Sequence, residues 1–151
     1  NVMAKGLSFT WKREVPVLYI VAELDSILPL QGMQDMFNRN PDPKTTVVLL
    51  NADHFHFNDA IEQTHDGYKS MLGMLAGGMD EDTRHTMETM MAGMKPSSEL
   101  VAGDDAYALI NGLGLAHFDR ELRGSQEAAS FLSGDLVAML GERNIKVKLL
   151  R

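Results

Sequence analysis

The chain has 151 residues, 44% of them hydrophobic, a formal net charge of −7 and no cysteine. That is the length of one domain with enough apolar material for a core. The acid excess, without a basic cluster, argues against a binder of nucleic-acid phosphates, no apolar run is long enough to span a bilayer, and the lack of thiols excludes disulfides and thiolate zinc sites within these residues.

Residues 1–14 read as a loop or short helix leading in from a crossover. Val15 to Ala22 is apolar and β-branched, as a buried parallel strand should be. Glu23 to Leu28 follows as an acid-bearing loop. Leu30 to Asn38 has helical spacing, with Leu30, Met33 and Phe37 on one face, and Asn40-Pro41-Asp42-Pro43 is a turn cluster. Thr46 to Leu50 reads as a second strand, and Asn51 to Phe57 as a histidine-bearing loop. Asn58 or Asp59 is placed to cap a helix running to about Ala76, with Glu62 three positions after Asp59 completing a capping box. Gly77-Gly78 breaks that helix. Asp80 to Met94 forms another, ended by Lys95-Pro96-Ser97-Ser98, and Asp104 to Arg123 a long one stopped at Gly124. Gln126 to Leu132 and Asp135 to Arg143 are short helices, and Ile145 to Leu150 is a closing edge strand.

The order strand, acid, helix, strand, histidine is the chemically informative part. An acid and a histidine delivered past the ends of neighbouring strands make two thirds of a nucleophile–histidine–acid triad. Asp25 is the candidate orienting acid, which would accept Nδ1–H of His54, fix its tautomer and stabilise the imidazolium; the competing reading is an Asp capping the next helix. Glu23 is the rival acid, because on an extended chain it points to the same side as Asp25. His54 is the candidate general base, and His56 competes with it for the same reason of alternation. Asp53, His54, His56 and Asp59 also admit a metal-loop reading, since His-x-His with carboxylates binds zinc or iron. His65, His85 and His117 fall on helices without a metal-ligand phrase. The methionines from Met71 to Met94 read as packing residues, or as the wall of a cap over a substrate pocket.

Three phrases carry a resemblance. Ala22-Glu23-Leu24-Asp25-Ser26-Ile27-Leu28-Pro29, Asn51-Ala52-Asp53-His54-Phe55 and Gly114-Leu115-Ala116-His117-Phe118-Asp119-Arg120-Glu121-Leu122-Arg123-Gly124 are similar, in that order, to the acid phrase, the histidine phrase and the last sheet-packing helix of α/β-hydrolases of the dienelactone-hydrolase-like branch. The match is poorest from Gly73 to Leu100. The resemblance implies an α/β fold and a single partial domain over residues 1–151, with a helical cap-like insertion at about 77–100. It implies cleavage of a carboxylic ester or lactone by a Ser (or Cys)-His-Asp triad with Asp25 and His54 as catalytic members. It also implies no cofactor and no metal, a small-molecule substrate rather than nucleic acid or membrane, and, by default, a cytoplasmic setting.

The nucleophile phrase of that family, Gly-x-Ser-x-Gly or its Cys form, is not in these 151 residues. Gly6-Leu7-Ser8-Phe9-Thr10 is nearest, but Thr10 stands where a small residue is needed for the tight turn. The chain starts at Asn1 and its first strand resembles a late one, so the expectation is a C-terminal portion whose nucleophile and oxyanion hole lie upstream. These residues alone are expected to hydrolyse no ester, and the Val15–Ala22 strand to expose an edge that invites self-association. The alternative is a truncated hydrolase surviving as a non-catalytic binding module.

Overall fold

A computed structural model describes residues 14–150. In chain order they form β1 (Val17–Ala22), α1 (Leu30–Arg39), β2 (Lys44–Leu49), a short 3-10 turn (His54–Phe57), α2 (Ile61–Ala76) and α3 (Glu81–Gly93). A second 3-10 turn (Ser97–Glu99), α4 (Gly103–Arg123), α5 (Gln126–Ser133), α6 (Leu136–Gly141) and β3 (Val147–Leu150) follow. The result is a mixed α/β arrangement of several helices around one small three-stranded sheet of order β1-β2-β3.

β1 and β2 are parallel, in register from Val17 opposite Lys44 to Ala22 opposite Leu49. Parallel neighbours need a crossover, and α1 supplies it. β3 then closes the far side of β2 in the antiparallel sense, with Val147 opposite Leu49. Pro16 has no N–H to give a ladder, and the pairing starts one residue later, where Val17 N–H donates to the Pro43 carbonyl at 3.0 Å. β2 starts earlier than its apolar run, at Lys44, whose ammonium bonds the Asn40 carbonyl at 2.6 Å and lies 4.7 Å from the centroid of the Phe37 ring. The long stem of Lys44 thus packs while its charge serves the end of α1.

The two faces of the sheet are covered differently. Ala22, Val47, Leu49 and Val147 pack with Ala106, Leu109 and Leu113 of α4 and Leu136 and Leu140 of α6 in the main core. On the other face α1 lays Phe37, 5% exposed, edge-on to Tyr19. Gly103 permits the close approach of α4 to α2: a Cβ there would sit 2.6 Å from Ile61 Cγ2. Gly124 ends α4 in the left-handed region at φ 65°, as a glycine after a helix does without steric cost.

β1 is an edge. Val17 and Glu23 direct their N–H groups to β2, so by alternation the backbone groups of Leu18, Ile20 and Ala22 face the other way. Among the described residues no strand pairs with them. None of the described helices is long and apolar enough to cross a membrane.

One local expectation is overturned and another holds in part. The capping box of Asp59 and Glu62 does not form: α2 begins at Ile61, its preceding residue Ala60 is left-handed at φ 55°, and no side chain caps it. Glu62 instead accepts the Gly103 N–H at 3.1 Å, tying α2 to the start of α4. The methionine stretch is not uniformly packing material either. Met94 is 2% exposed and joins Phe55, Ile61 and Tyr68 in a second apolar cluster, whereas Met74 is 83% exposed. α3, capped by Asp80 through the Thr83 N–H at 3.0 Å, packs on α2 and buries no residue of its own.

Candidate active site

Because β1 and β2 are parallel and end level with each other, the loops that leave them emerge side by side. The Glu23 and Leu24 amides donate to the Leu49 and Ala52 carbonyls at 3.0 and 2.9 Å, extending the contact past the strands. Asn51 then turns the second loop. It is left-handed at φ 55°, a conformation that Asn adopts more readily than most residues. Each of its polar groups is engaged. Its amide donates to Glu23 Oε2 at 3.0 Å, its Nδ2 donates to the Glu99 carbonyl at 2.7 Å, its Oδ1 accepts from Lys95 Nζ at 3.0 Å, and its carbonyl accepts the Val101 N–H at 2.9 Å.

Those loops bring Asp25 and His54 together. His54 Nδ1 lies 3.0 Å from Asp25 Oδ2. The other oxygen, Oδ1, accepts the Ile27 and Leu28 amides at 2.9 and 2.6 Å, an Asx-type turn that shapes the acid loop itself. The helix-capping reading of Asp25 therefore does not hold: α1 starts after Pro29 with no side-chain cap, and the carboxylate is divided between its own loop and the imidazole. Asp25 is 7% exposed and His54 29%. A carboxylate accepts only, so the bond places the proton of neutral His54 on Nδ1 and leaves Nε2 with a free lone pair. Among the described residues nothing bonds that Nε2, while Phe55 and Phe57 pack edge-on against the ring at 6.1 and 6.5 Å.

The competitors go elsewhere. Glu23 does not share a side with Asp25 in any useful sense; it holds the Asn51 amide and faces Lys148 Nζ at 3.6 Å. His56 is 3% exposed. Its Nε2–H donates to the Val101 carbonyl at 2.9 Å, leaving Nδ1 to accept the Asp53 amide, also at 2.9 Å. His54 and His56 thus do not converge, and among the described residues no three His, Cys, Asp or Glu side chains are placed to hold a metal ion. His117 is held below the ordinary histidine range, chiefly by burial and then by Arg120, and belongs to the packing of α4. Gly6-Leu7-Ser8-Phe9-Thr10 lies outside the described residues.

The structure gives other places to Asp53, read from sequence as a metal-loop candidate, and to His65, read as a helical residue without a ligand role. Asp53, 2% exposed, accepts the Ser26 amide on Oδ2 at 3.2 Å and the Ser26 hydroxyl on Oδ1 at 3.1 Å. Consecutive residues of one loop therefore clasp consecutive residues of the other, Asp25 to His54 and Ser26 to Asp53. Behind them His65 of α2 is fully buried. Its Nδ1 bonds Asp66 Oδ1 at 3.1 Å and its Nε2 stands 3.8 Å from Asp53 Oδ1. Asp66 is pulled down to about 2, first by the Ser97 hydroxyl, then by His65 and the Ser97 amide. The spacing of Ile61, His65, Leu72 and Ala76 on one helical face was the available signal that His65 faces inward.

A groove of about 600 Å³, lined in part by Asp42, Lys44, Thr45 and Ser133, lies at the opposite end of β2 from the histidine loop and does not serve His54. Comparison with protein-family models, with curated proteins and with solved structures gives no significant match to this chain.

The geometry makes a definite spectroscopic prediction. A long-range ¹H–¹⁵N imidazole spectrum of the neutral protein should give His54 as the Nδ1–H tautomer and His56 as the Nε2–H tautomer. Asp25→Ala should return His54 toward the mixed population of a free imidazole and leave His56 alone. A His54 already mixed in the unsubstituted protein would contradict the Asp25 bond.

Proposed function

We propose that this chain supplies the acid and the general base of a Ser (or Cys)-His-Asp hydrolase of the α/β-hydrolase type, closest to the dienelactone-hydrolase-like branch, acting on a carboxylic ester or lactone. The observation that carries the reading is the 3.0 Å contact between His54 Nδ1 and Asp25 Oδ2 at the carboxyl ends of two adjacent parallel strands. Asp25 fixes the tautomer, and the bare Nε2 of His54 is the atom that would take a proton. The nucleophile would arrive on a strand laid along the unpaired edge of β1.

The chemistry then runs in two halves. The nucleophile attacks the ester carbonyl as its proton passes to His54 Nε2, and the imidazolium returns that proton to the departing alkoxide, leaving an acyl-enzyme. Water, deprotonated by the same Nε2, attacks the acyl carbonyl; His54 returns the proton as the nucleophile is freed and the carboxylic acid leaves. Asp25 stays ionised and stabilises each imidazolium.

A second reading is favoured by a different observation. No Gly-x-Ser-x-Gly or Cys equivalent occurs in these 151 residues, and among the described residues no strand pairs with the outer edge of β1. A hydrolase-like chain lacking its nucleophile would act as a binding module, and the cytoplasmic setting belongs to either reading.

Hydrolysis of p-nitrophenyl esters and of lactones by the protein expressed from its complete coding sequence separates the two. The hydrolase reading expects His54→Ala and Asp25→Ala each to lower kcat/KM by about a thousandfold or more. Turnover indifferent to His54 would overturn the role given to this histidine, and no turnover at all hands the case to the binding module. The open edge of β1 also predicts that residues 1–151 alone self-associate. Sedimentation equilibrium should show concentration-dependent oligomers, and a single monomeric species throughout would contradict the prediction.

A further inference from the structure

We propose that Asp53 and Ser26 are positioning residues for the Asp25–His54 pair, and that His65 is the buried counter-charge that lets Asp53 serve. The inference rests on the reading of Asp25 and His54 as a working dyad, and it assigns three residues that this reading does not use.

Burying Asp53 carries an electrostatic cost. Its side chain is 2% exposed, and an ionised carboxylate so far from water persists only where donors and positive charge compensate it. Ser26 gives two donors, its amide at 3.2 Å and its hydroxyl at 3.1 Å. Among the described residues the ion-pair partner placed against it is Nε2 of the fully buried His65, 3.8 Å from Asp53 Oδ1. His65 already commits Nδ1–H to Asp66 Oδ1 at 3.1 Å. With a bare lone pair on Nε2, that nitrogen would face the Asp53 carboxylate with no bond, as one of two buried side-chain polar atoms without a partner among the described residues. A proton on Nε2 turns the same contact attractive and gives each of the two flanking carboxylates a cation to face. Phe55 packs edge-on to His65, ring centroids 5.6 Å apart.

Position explains why this matters to the dyad. Ser26 follows Asp25 in the acid loop, and Asp53 precedes His54 in the histidine loop. The Asp25–His54 bond is a single contact between two irregular segments; the Ser26–Asp53 clasp adds two more, one residue along. Together they fix the distance and the direction of approach, which a single hydrogen bond leaves loose. The clasp is anchored in turn to α2 through His65. Asp66 is anchored to the Ser97 turn by the Ser97 amide at 3.1 Å and hydroxyl at 2.7 Å.

The test uses the full chain and the His54 tautomer, which a merely stabilising contact elsewhere would not move. Ser26→Ala, Ser26→Thr, Asp53→Asn and His65→Gln are compared with Asp25→Ala by long-range ¹H–¹⁵N spectra and by urea unfolding. Ser26→Ala and Asp53→Asn are expected to retain the folded spectrum while shifting His54 part of the way toward the tautomer mixture of Asp25→Ala. Ser26→Thr, which keeps the hydroxyl, should restore the unsubstituted pattern. In a double-mutant cycle Asp53→Asn and His65→Gln should be non-additive, by about tenfold in the folding equilibrium constant. If Asp25→Ala shifts the His54 tautomer but Ser26→Ala and Asp53→Asn do not, the positioning role is wrong and the dyad stands. If the cycle is additive, His65 is not the counter-charge. If Asp25→Ala itself leaves His54 unchanged, both the dyad and the network fall. Should Asp53→Asn not fold, the Ser26 pair decides alone.

Discussion

With β1 and β2 paired in parallel from Val17 opposite Lys44 to Ala22 opposite Leu49, the chain leaves both strands in the same direction and at the same height. Everything distinctive about the molecule follows from that constraint. It sets Asp25 and Ser26 against His54 and Asp53, and it requires α1 as the crossover. It also leaves β1 with one row of backbone groups facing away from its partner. An antiparallel pair of the same two sequences would have put the acid and the histidine at opposite ends.

Around that geometry the polar groups are distributed without duplication. Asp25 gives one oxygen to its own loop and the other to His54. Glu23 holds the Asn51 amide, which fixes the turn out of β2, and His56 braces the same loop against Val101. Three acidic or imidazole side chains thus build a scaffold around His54, whose Nε2 has no bonding partner among the described residues. A charge-assisted bond to a carboxylate is worth about 1.5–3 kcal/mol, so Asp25 is a strong enough partner to dictate the His54 tautomer once the loops are set.

What was legible in the sequence and what was not divides along a physical line. Strands announced by runs such as Val17 to Ala22 and Val47 to Leu49, and a helix stopped by Gly124, were readable because the cause is local: apolar β-branched residues, or a glycine able to adopt positive φ. The pairing of Asp25 with His54 was readable because both follow strands. Contacts formed between distant segments were not. Nothing near Glu62 says that it will leave its own helix start and bond Gly103. Nothing near Asp53 says that Ser26, 27 positions earlier, will bond it, or that His65 will lie behind it. Glu23 misled for a related reason: alternation along an extended chain ends where the strand ends, and the loop turns its side chain to the Asn51 amide.

The central claim is that Asp25 holds His54 by Nδ1 and leaves Nε2 unbonded to act as a base, and the reactivity of that nitrogen tests it most directly. Carbethoxylation by diethyl pyrocarbonate, followed residue by residue by mass spectrometry, reports it, with the exposed His85 as an internal standard. The account predicts that His54 reacts faster than the buried His56 and His65, and that Asp25→Ala slows His54 relative to His85. An unchanged ratio of His54 to His85 in the variant would mean that the carboxylate does not prepare the imidazole, and would contradict the account.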